Sequence, residues 1–311
     1  MKEWISKWTP RILPIVFFFA AMFVLYRELH HYTLDTLLAH LNDFTSTQIF
    51  LAIALTYLCY FALTAYDALA LHYIKQKLSF GRLVISSFLG YSFSNNLGWP
   101  IITGTSMRYR FYSRWKISAL NAAKVVAFTN VTCWTGIAFI GAIIFFYEPV
   151  SLAGIGFLEG HTTLPLGFIS LAVTLLFLVF VFYRKKPVPL GSWNIPIPTP
   201  QMAAGQIAAS SVDWILAASV FFVLLPAGHG MDFLQILQIF ILAQIVGLIS
   251  HVPGGLGIFE ALIVRFLSEN ISRPEILGSL LVFRLIYYIL PLFTGLTVLG
   301  AYEFFKSSSK R

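Results

Sequence analysis

The chain has 311 residues, of which 58% are hydrophobic and only 11% are charged, whereas roughly a quarter of the residues in an ordinary soluble domain are charged. A soluble globule could not cover its surface with so few charged side chains, so the composition predicts an all-α, polytopic helical membrane protein. The formal net charge of +8 does not indicate nucleic-acid binding, because the basic residues form short clusters beside apolar segments.

Six apolar segments are long enough to cross a bilayer, which takes about 20 residues. They run from Ile12 to Tyr26, Gln48 to Leu71, Ala119 to Phe146, Pro165 to Tyr183, Met202 to Leu225 and Leu277 to Tyr302. The first has basic residues ahead of it and no convincing cleavage site, which favours a retained signal-anchor helix. We expect one integral membrane domain, residues 1–311, in which a stiff, Pro-rich cytoplasmic connector, 187–200, separates a first half, 1–186, from a second half, 201–311.

Lys and Arg lie almost entirely on one side of these predicted spans. If the N-terminus is cytoplasmic, the inside segments hold Lys2, Lys7, Arg11, Lys75, Lys77, Arg82, Arg108, Arg110, Arg114, Lys116, Arg184, Lys185, Lys186, Lys306, Lys310 and Arg311. The outside loops hold only Arg27 and Arg273. Because cytoplasmic loops of membrane proteins are enriched in basic residues, we expect a multi-pass protein of the bacterial inner membrane with both termini in the cytoplasm.

This orientation requires two further segments to begin and end on the same side. Residues 83–116 would enter from the cytoplasm, and residues 233–268 would enter from outside, either as a re-entrant hairpin or as two short crossings. Each contains helix breakers at its expected tip, in SNNLGWP (94–100) and HVPGGLG (251–257). Opposed broken helices are typical of transporters with inverted repeats. The alternative is a packed bundle of glycine-kinked helices.

Polar residues fall on single faces of three predicted spans, at spacings of three and four residues. These faces hold Tyr57, Tyr60, Thr64 and Asp67; Gln206, Ser210, Asp213 and Ala217; and Arg284, Tyr287, Tyr288 and Pro291. We expect them to converge on one interior cavity that includes Asp213 and Arg284. The alternative is interhelical pairing, with Asp213 or Glu260 bonded to Arg284 and nothing bound. No enzyme, cofactor or metal motif is found, so an enzyme is the less favoured class.

Four segments resemble the membrane region of lysylphosphatidylglycerol synthases, the multiple peptide resistance factor family. They are YDALALHYI (66–74), GYSFSNNLG (90–98), TGTSMRYR (103–110) and VPGGLGIFE (252–260), and the likeness covers about residues 50–300. In that family the membrane region is thought to move aminoacylated phosphatidylglycerol between leaflets, while a cytosolic domain attaches the amino acid from aminoacyl-tRNA. The chain stops at Arg311, so the resemblance implies a stand-alone, flippase-like member without the synthase domain. By motif position the resemblance implies that Asp67 and Arg108 match functional residues of the family and that Asp213 matches a third.

A translocase of such a lipid needs acidic groups for the ammonium of the headgroup and basic groups for its phosphate. Asp67, Asp213 and Glu260 would serve the ammonium, while Arg108 or Arg110 would serve the phosphate. The full set of candidate substrate-binding residues is Asp67, Asn95, Asn96, Arg108, Arg110, Asp213, Pro253, Gly254, Gly255, Glu260 and Arg284. Arg108 and Arg110 could instead anchor the chain to anionic lipid headgroups.

The expected partners are membrane phospholipid, an aminoacyl-lipid synthase or hydrolase, and further copies of the chain in a homo-oligomer. Two other functions fit the same pattern. One is an ion-coupled transporter of another substrate, such as a polyprenyl phosphate. The other is a non-transporting scaffold for a lipid-modifying enzyme, which would tolerate loss of the charges at Asp67 and Asp213.

Overall fold

The computed structural model describes residues 44–97, 100–147, 149–152, 160–184, 186–190, 193–195, 197–250 and 255–308. Its elements are α1 (Ser46–Tyr73), α2 (Phe80–Leu97), α3 (Pro100–Tyr112), a 3₁₀ turn (Ser113–Trp115), α4 (Ala119–Tyr147), α5 (Leu164–Tyr183), β1 (Val188–Leu190), β2 (Trp193–Ile195), α6 (Pro200–Val223), α7 (Phe233–Ile249), α8 (Ile258–Leu267), α9 (Arg273–Phe283), a π-helical segment (Arg284–Ile289) and α10 (Leu290–Ser308). The predicted first span and the candidate residues Pro253 and Gly254 lie outside this part of the chain.

The structure confirms the all-α membrane architecture. Within the described residues, five helical stretches are long and apolar enough to cross a membrane: α1, α4, α5, α6 and the continuous stretch Arg273–Tyr302. They coincide with five of the six predicted spans. The last span has the π-helical segment in its middle, which the hydropathy of the sequence does not reveal.

The connector contains a small element that the sequence analysis did not predict. Strands β1 and β2 pair antiparallel, with Val188 opposite Ile195 and Pro189 opposite Asn194. We expected a stiff, Pro-rich connector and predicted no regular structure in it. The antiparallel pairing of the two short strands adds a local β element between α5 and α6.

Two antiparallel helical hairpins occupy the segments predicted to be broken. In the first, α2 and α3, a Cβ built on Gly104 would lie 3.7 Å from the Ser94 Cβ, and one built on Gly90 would reach the Arg108 guanidinium. In the second, α7 and α8, a Cβ on Gly255 would lie 3.5 Å from the Gly247 Cα. Gly255 has a φ of +65°, a left-handed conformation that favours glycine, so this residue lets α8 start beside the end of α7.

The two hairpins enter the bundle from opposite ends. At one end the Gln48 side chain bonds the Val223 carbonyl, and Phe233 of the second hairpin packs 5.5 Å from Phe222, measured between ring centroids. At the other end the first hairpin packs on the last span, where Phe111 lies 5.4 Å from Tyr302. This opposed entry is what an inverted repeat predicts. The repeat itself, and the division of the chain at residues 187–200, stay predictions.

Aromatic packing fixes the second hairpin against the last span. Phe240 of α7, Phe259 of α8 and Phe283 of α9 contact one another at centroid distances of 5.4 to 6.0 Å, and Phe221 of α6 joins the cluster. All four side chains are buried. Since a buried aromatic ring contributes a large apolar area, this cluster holds the start of α8 rigidly beside the π-helical segment.

Candidate functional site

Asp67 and Arg108 form a buried ion pair between α1 and the first hairpin. The Arg108 Nε and Nη2 donate to the two carboxylate oxygens of Asp67 at 3.0 and 2.9 Å. Tyr91 donates to the same carboxylate at 3.3 Å, and its ring lies 4.5 Å from the Arg108 guanidinium carbon. Asp67 is fully buried and Arg108 is 1% exposed. The two candidate residues from different sequence motifs therefore neutralise each other in this conformation.

Glycines make room for this guanidinium. A Cβ on Gly90 would lie 2.7 Å from Arg108 Nη1 and 2.8 Å from its Cζ, and one on Gly104 would lie 3.1 Å from Nη1. Both glycines lie in the sequence blocks that carry the family resemblance. Their role is steric, because they allow a buried arginine to lie flat against the α2 and α3 backbones.

Asp213 lies at the middle of α6 and has neutral hydrogen-bond donors around it. Tyr66 donates to its Oδ2 at 2.9 Å, and the Cys59 thiol donates to its Oδ1 at 3.0 Å. Cys59 also lies 3.4 Å from the Tyr287 hydroxyl. The Asp213 side chain has no ion pair within the described part of the chain. It is 7% exposed, and Cys59 and Tyr66 are still more deeply buried.

Glu260 and Arg284 form a second ion pair, between the second hairpin and the last span. The Arg284 Nε donates to Glu260 Oε1 at 2.6 Å, and the other carboxylate oxygen accepts from the Gly257 backbone N–H at 2.7 Å. The guanidinium lies 4.7 Å from the Tyr288 ring centroid. Of the two partners that the sequence left open for Arg284, the structure places Glu260 in the pair. Asp213 instead bonds to α1.

Asn96 and Tyr60 bond the backbone of the π-helical segment. Pro291 has no N–H, so the carbonyl four residues before it, that of Tyr287, loses its α-helical donor. The Tyr60 hydroxyl donates to this carbonyl at 3.2 Å, and Asn96 Nδ2 donates to the next carbonyl, that of Tyr288, at 3.1 Å. π-helical segments often mark functional sites. Here the segment contacts both hairpins, through Asn96 of the first and through the bond of Arg284 to the second.

These contacts arrange the three acidic side chains in order through the bundle. Tyr66, which bonds Asp213, packs edge-on against Tyr91, which bonds Asp67; the ring centroids are 6.2 Å apart. On the other side, Cys59 contacts Tyr287 in the π-helical segment that contains Arg284. Asp213 therefore lies between two charge-neutral ion pairs and is connected to each through tyrosines.

An apolar groove opens laterally beside this polar interior. It has a volume of about 300 Å³. Residues of α4, α5 and α6 line it, among them Trp134, Val173 and Ile207, with the half-buried Asn130 in its wall. Val131 and Val173 are about half exposed, so the groove faces outward from the bundle.

The remaining candidate residues have different surroundings. Asn96 is buried and bonds the last span, while Asn95, one residue earlier on α2, is half buried. Arg110 is half buried near the cytoplasmic end predicted for α3, and Gly255 lies at the start of the second hairpin.

The sequence analysis missed Cys59, Tyr66 and Tyr91 as members of the polar interior. One signal was present, because Cys59 and Tyr66 are seven residues apart and so share a helix face. That face adjoins the one that holds Tyr60 and Asp67. For Tyr91 only the packing of the hairpin against α1 reveals its role.

The sequence is similar to several known membrane and uncharacterised proteins. The chain is 35% identical over 313 residues to an uncharacterised protein of Synechocystis, across 100% of this chain and 97% of the relative. It is 27% identical to the inner membrane protein YbhN of Escherichia coli, across 97% and 93% of the two chains. It is 26% identical to the phosphatidylglycerol lysyltransferase of Bacillus subtilis, across 94% of this chain. The match covers 34% of that lysyltransferase, so this chain spans about a third of its length. No family model matches the sequence.

Proposed function

The chain belongs to the family of the membrane region of phosphatidylglycerol lysyltransferases, and on this premise we propose that it moves aminoacylated phosphatidylglycerol, or a related phospholipid, between the leaflets of a bacterial inner membrane. The observation that carries the proposal is the buried polar interior. Burying a charge at the centre of a bilayer costs at least about 2.5 kcal/mol on insertion scales. A bundle that keeps Asp67, Arg108, Asp213, Glu260 and Arg284 in its interior has a use for them beyond packing.

The two ion pairs match the chemistry of a headgroup that carries both charges. Lysyl-phosphatidylglycerol has ammonium groups and a phosphate. If its phosphate binds Arg108 while its ammonium binds Asp67, each partner of the pair exchanges one counter-charge for another, and no charge is left unpaired in the membrane. The Glu260–Arg284 pair can exchange partners in the same way. Asn95, Asn96, Arg110 and the tip residues Pro253, Gly254 and Gly255 complete the proposed path.

The lateral groove supports a path for the acyl chains. A translocase passes only the headgroup through its polar interior, while the tails stay in the hydrocarbon. The outward-facing groove between α4, α5 and α6 has an apolar wall that an acyl chain fits. Trp134 lines the groove, and Trp214, the neighbour of Asp213 on α6, donates to the carbonyl of the adjacent Cys133 at 3.2 Å, so the groove lies near the depth of Asp213.

The proposal is tested by measuring lipid movement in liposomes that contain the purified chain. Labelled lysyl-phosphatidylglycerol should change leaflets faster than in empty liposomes, and no lysyl-phosphatidylglycerol should form from lysyl-tRNA and phosphatidylglycerol. Replacing both members of the first pair, in Asp67→Asn/Arg108→Gln, should return the rate to that of empty liposomes. A double replacement is preferred because removing one partner leaves a buried charge unpaired, at a cost of about 3 to 5 kcal/mol.

The matched control uses an ion pair outside the bundle interior. Arg265 and Glu269 lie one turn apart on and after α8, with a 3.6 Å separation and exposed side chains. Arg265→Gln/Glu269→Gln should leave the rate unchanged. If the wild type moves no phospholipid, even with an imposed ion gradient, the scaffold function is favoured. If Asp67→Asn/Arg108→Gln moves lipid at the wild-type rate, the headgroup passes elsewhere.

A further inference from the structure

Asp67, Asp213 and the partly buried Glu260 differ in one respect, which is their counter-charge. Asp67 has Arg108 at 2.9 Å and Glu260 has Arg284, so two of them are neutralised by arginine. Asp213 accepts hydrogen bonds from a phenol and a thiol, and no ion pair compensates it within the described residues. Since an isolated carboxylate in hydrocarbon is strongly disfavoured, it needs a cation of another kind.

Among the described residues, the ionisable groups around Asp213 are all neutral in their ordinary protonation state. They are Cys59, Tyr60 and Tyr66 of α1, Tyr91 of the first hairpin, Cys133 of α4 and Tyr287 of the last span. Helix α7 has no ionisable residue. The ionisable residues of α5 and α9 lie at the ends of those helices: Tyr183 in α5, and Arg273 and Glu275 in α9. The charged side chains connected to Asp213 through the tyrosines belong to the two ion pairs, Asp67–Arg108 and Glu260–Arg284. None of these groups supplies Asp213 with a positive charge.

The cation that fits this carboxylate is a proton. Hard metal cations bind through several oxygen ligands, whereas a thiol occupies one side of Asp213. No group of three or more His, Cys, Asp or Glu side chains that could hold a metal occurs in the part of the chain that the structure describes. A proton needs only one oxygen. The Oδ1 that now accepts from Cys59 can carry it, and the thiol sulfur can then accept the hydrogen bond.

We propose that Asp213 is a proton-binding site whose proton exchanges with the ammonium group of the transported lipid. This inference rests on the proposed function and adds that lipid movement is coupled to the movement of a proton. The carboxylate can hold one proton or one ammonium, but not both, so lipid and proton must move in opposite directions. A lysyl-phosphatidylglycerol with a net charge of +1 replaces a charge of +1, and the exchange moves no net charge across the membrane.

The test compares two lipids under a pH gradient in liposomes that contain the full chain. With one proton exchanged per lipid, lysyl-phosphatidylglycerol should accumulate in the leaflet on the acidic side by up to about tenfold per pH unit, since one pH unit corresponds to about 1.4 kcal/mol. Phosphatidylglycerol, which has no ammonium, should not respond to the gradient. Empty liposomes correct for passive movement of the amine.

Asp213→Asn keeps the shape of the side chain and cannot exchange a proton. It should abolish the response to the gradient, while Asp232→Asn should keep it. Asp232 is a suitable control because it caps α7 at the end of the bundle, and asparagine caps a helix as well as aspartate does. Lysyl-phosphatidylglycerol that moves but does not respond to the gradient would overturn the inference and leave the proposed function intact.

If no lipid moves, a spectroscopic measurement still distinguishes the proton site at Asp213 from the proposed lipid translocation. Infrared difference spectra of the reconstituted protein should show the C=O stretch of a protonated carboxylic acid that Asp213→Asn removes and Asp232→Asn retains. With that band present and no lipid movement, the proton site stands and the proposed function fails. With no such band at any pH at which the protein stays folded, the proton site is disproved.

Discussion

Neighbouring residues on α1 contact different parts of the molecule. Tyr66 donates to Asp213 on α6, whereas Asp67 accepts from Arg108 in the first hairpin. Consecutive side chains on a helix point about 100° apart, so one turn of α1 can contact two partners. The centre of α1 therefore joins Asp213, which has no ion pair among the described residues, to a closed ion pair, and single substitutions there should have effects on both.

Gly90 provides the most direct test at the scale of one residue. Gly90→Ala would place a methyl group 2.7 Å from a guanidinium that is itself buried and is held by two hydrogen bonds to Asp67. We expect it to destabilise the fold by about 1 to 3 kcal/mol, as overpacking usually does. The measurement is thermal unfolding in detergent.

Gly81 on the same helix is the matched control, because nothing lies within 4 Å of a Cβ placed there. Gly81→Ala should leave the melting temperature equal or slightly higher, since alanine favours a helix by up to about 1 kcal/mol. Equal melting temperatures for the two variants would mean that Arg108 does not occupy the observed position.

At the scale of elements, the last span is the part that both hairpins contact. Pro291 frees the Tyr287 carbonyl, and side chains of α1 and the first hairpin bond this carbonyl and the next one. Arg284, one turn earlier, bonds the second hairpin. A change in either hairpin would therefore be transmitted to the other through six residues of π-helix.

The contact between the second hairpin and the last span can be measured by a double-mutant cycle. Glu260→Gln and Arg284→Gln should each cost a few kcal/mol, and the double variant should cost less than their sum, with a coupling energy of about 1 to 3 kcal/mol. Arg284→Gln should lower the free energy of unfolding by less than the loss of a partner in a fully buried ion pair would. The reason is that the Glu260 side chain, which is left without its partner, is 18% exposed to solvent.

The same cycle with Asp213→Asn in place of Glu260→Gln should give a smaller coupling energy. Asp213 bonds Tyr66 and Cys59, so its link to Arg284 is indirect. A larger coupling energy for Asp213 with Arg284 than for Glu260 with Arg284 would contradict the pairing described above. Chemical denaturation in detergent gives the free energy of unfolding of each of these variants, from which the coupling energies follow.

At the scale of the whole molecule, the opposed hairpins predict which loops share a side of the membrane. The test is labelling with a membrane-impermeant thiol reagent in a chain whose Cys59 and Cys133 are replaced by serine. Single cysteines would be placed at three exposed positions: Ser79, Ser113 and Ala227. Ser79→Cys and Ser113→Cys flank the first hairpin and should both react only with reagent on the cytoplasmic side. Ala227→Cys lies near the open end of the second hairpin and should react only from outside.

Comparing the sides from which the three cysteines react also tests the architecture separately from the orientation. If Ser113→Cys reacts from outside while Ser79→Cys reacts from the cytoplasm, α2 and α3 together cross the membrane and the opposed hairpins are wrong. If Ser79→Cys and Ser113→Cys react only from outside and Ala227→Cys reacts only from the cytoplasm, the architecture stands but the orientation inferred from the basic residues is reversed. If all three react from the same side, the opposed hairpins are wrong.

The amino-acid sequence alone determined the membrane class, five of the observed spans and the positions of both broken helices. These follow from local properties: apolar length, clusters of Lys and Arg, and Gly and Pro where a helix must stop. It also singled out Asp213, Glu260 and Arg284, because a charge in or beside an apolar segment is visible without any contact, and it made Asp67 and Arg108 candidates by motif position.

Only the tertiary structure decided which charge faces which. Arg284 could have met Asp213 or Glu260, and Arg108 was assigned to a phosphate rather than to Asp67, since pairing depends on how distant helices pack. The π-helical segment, the short β-hairpin and the tyrosines around Asp213 were likewise decided by contacts between remote parts of the chain. That none of the described residues supplies a counter-charge to Asp213 is a property of that packing, and no pattern along the sequence could have revealed it.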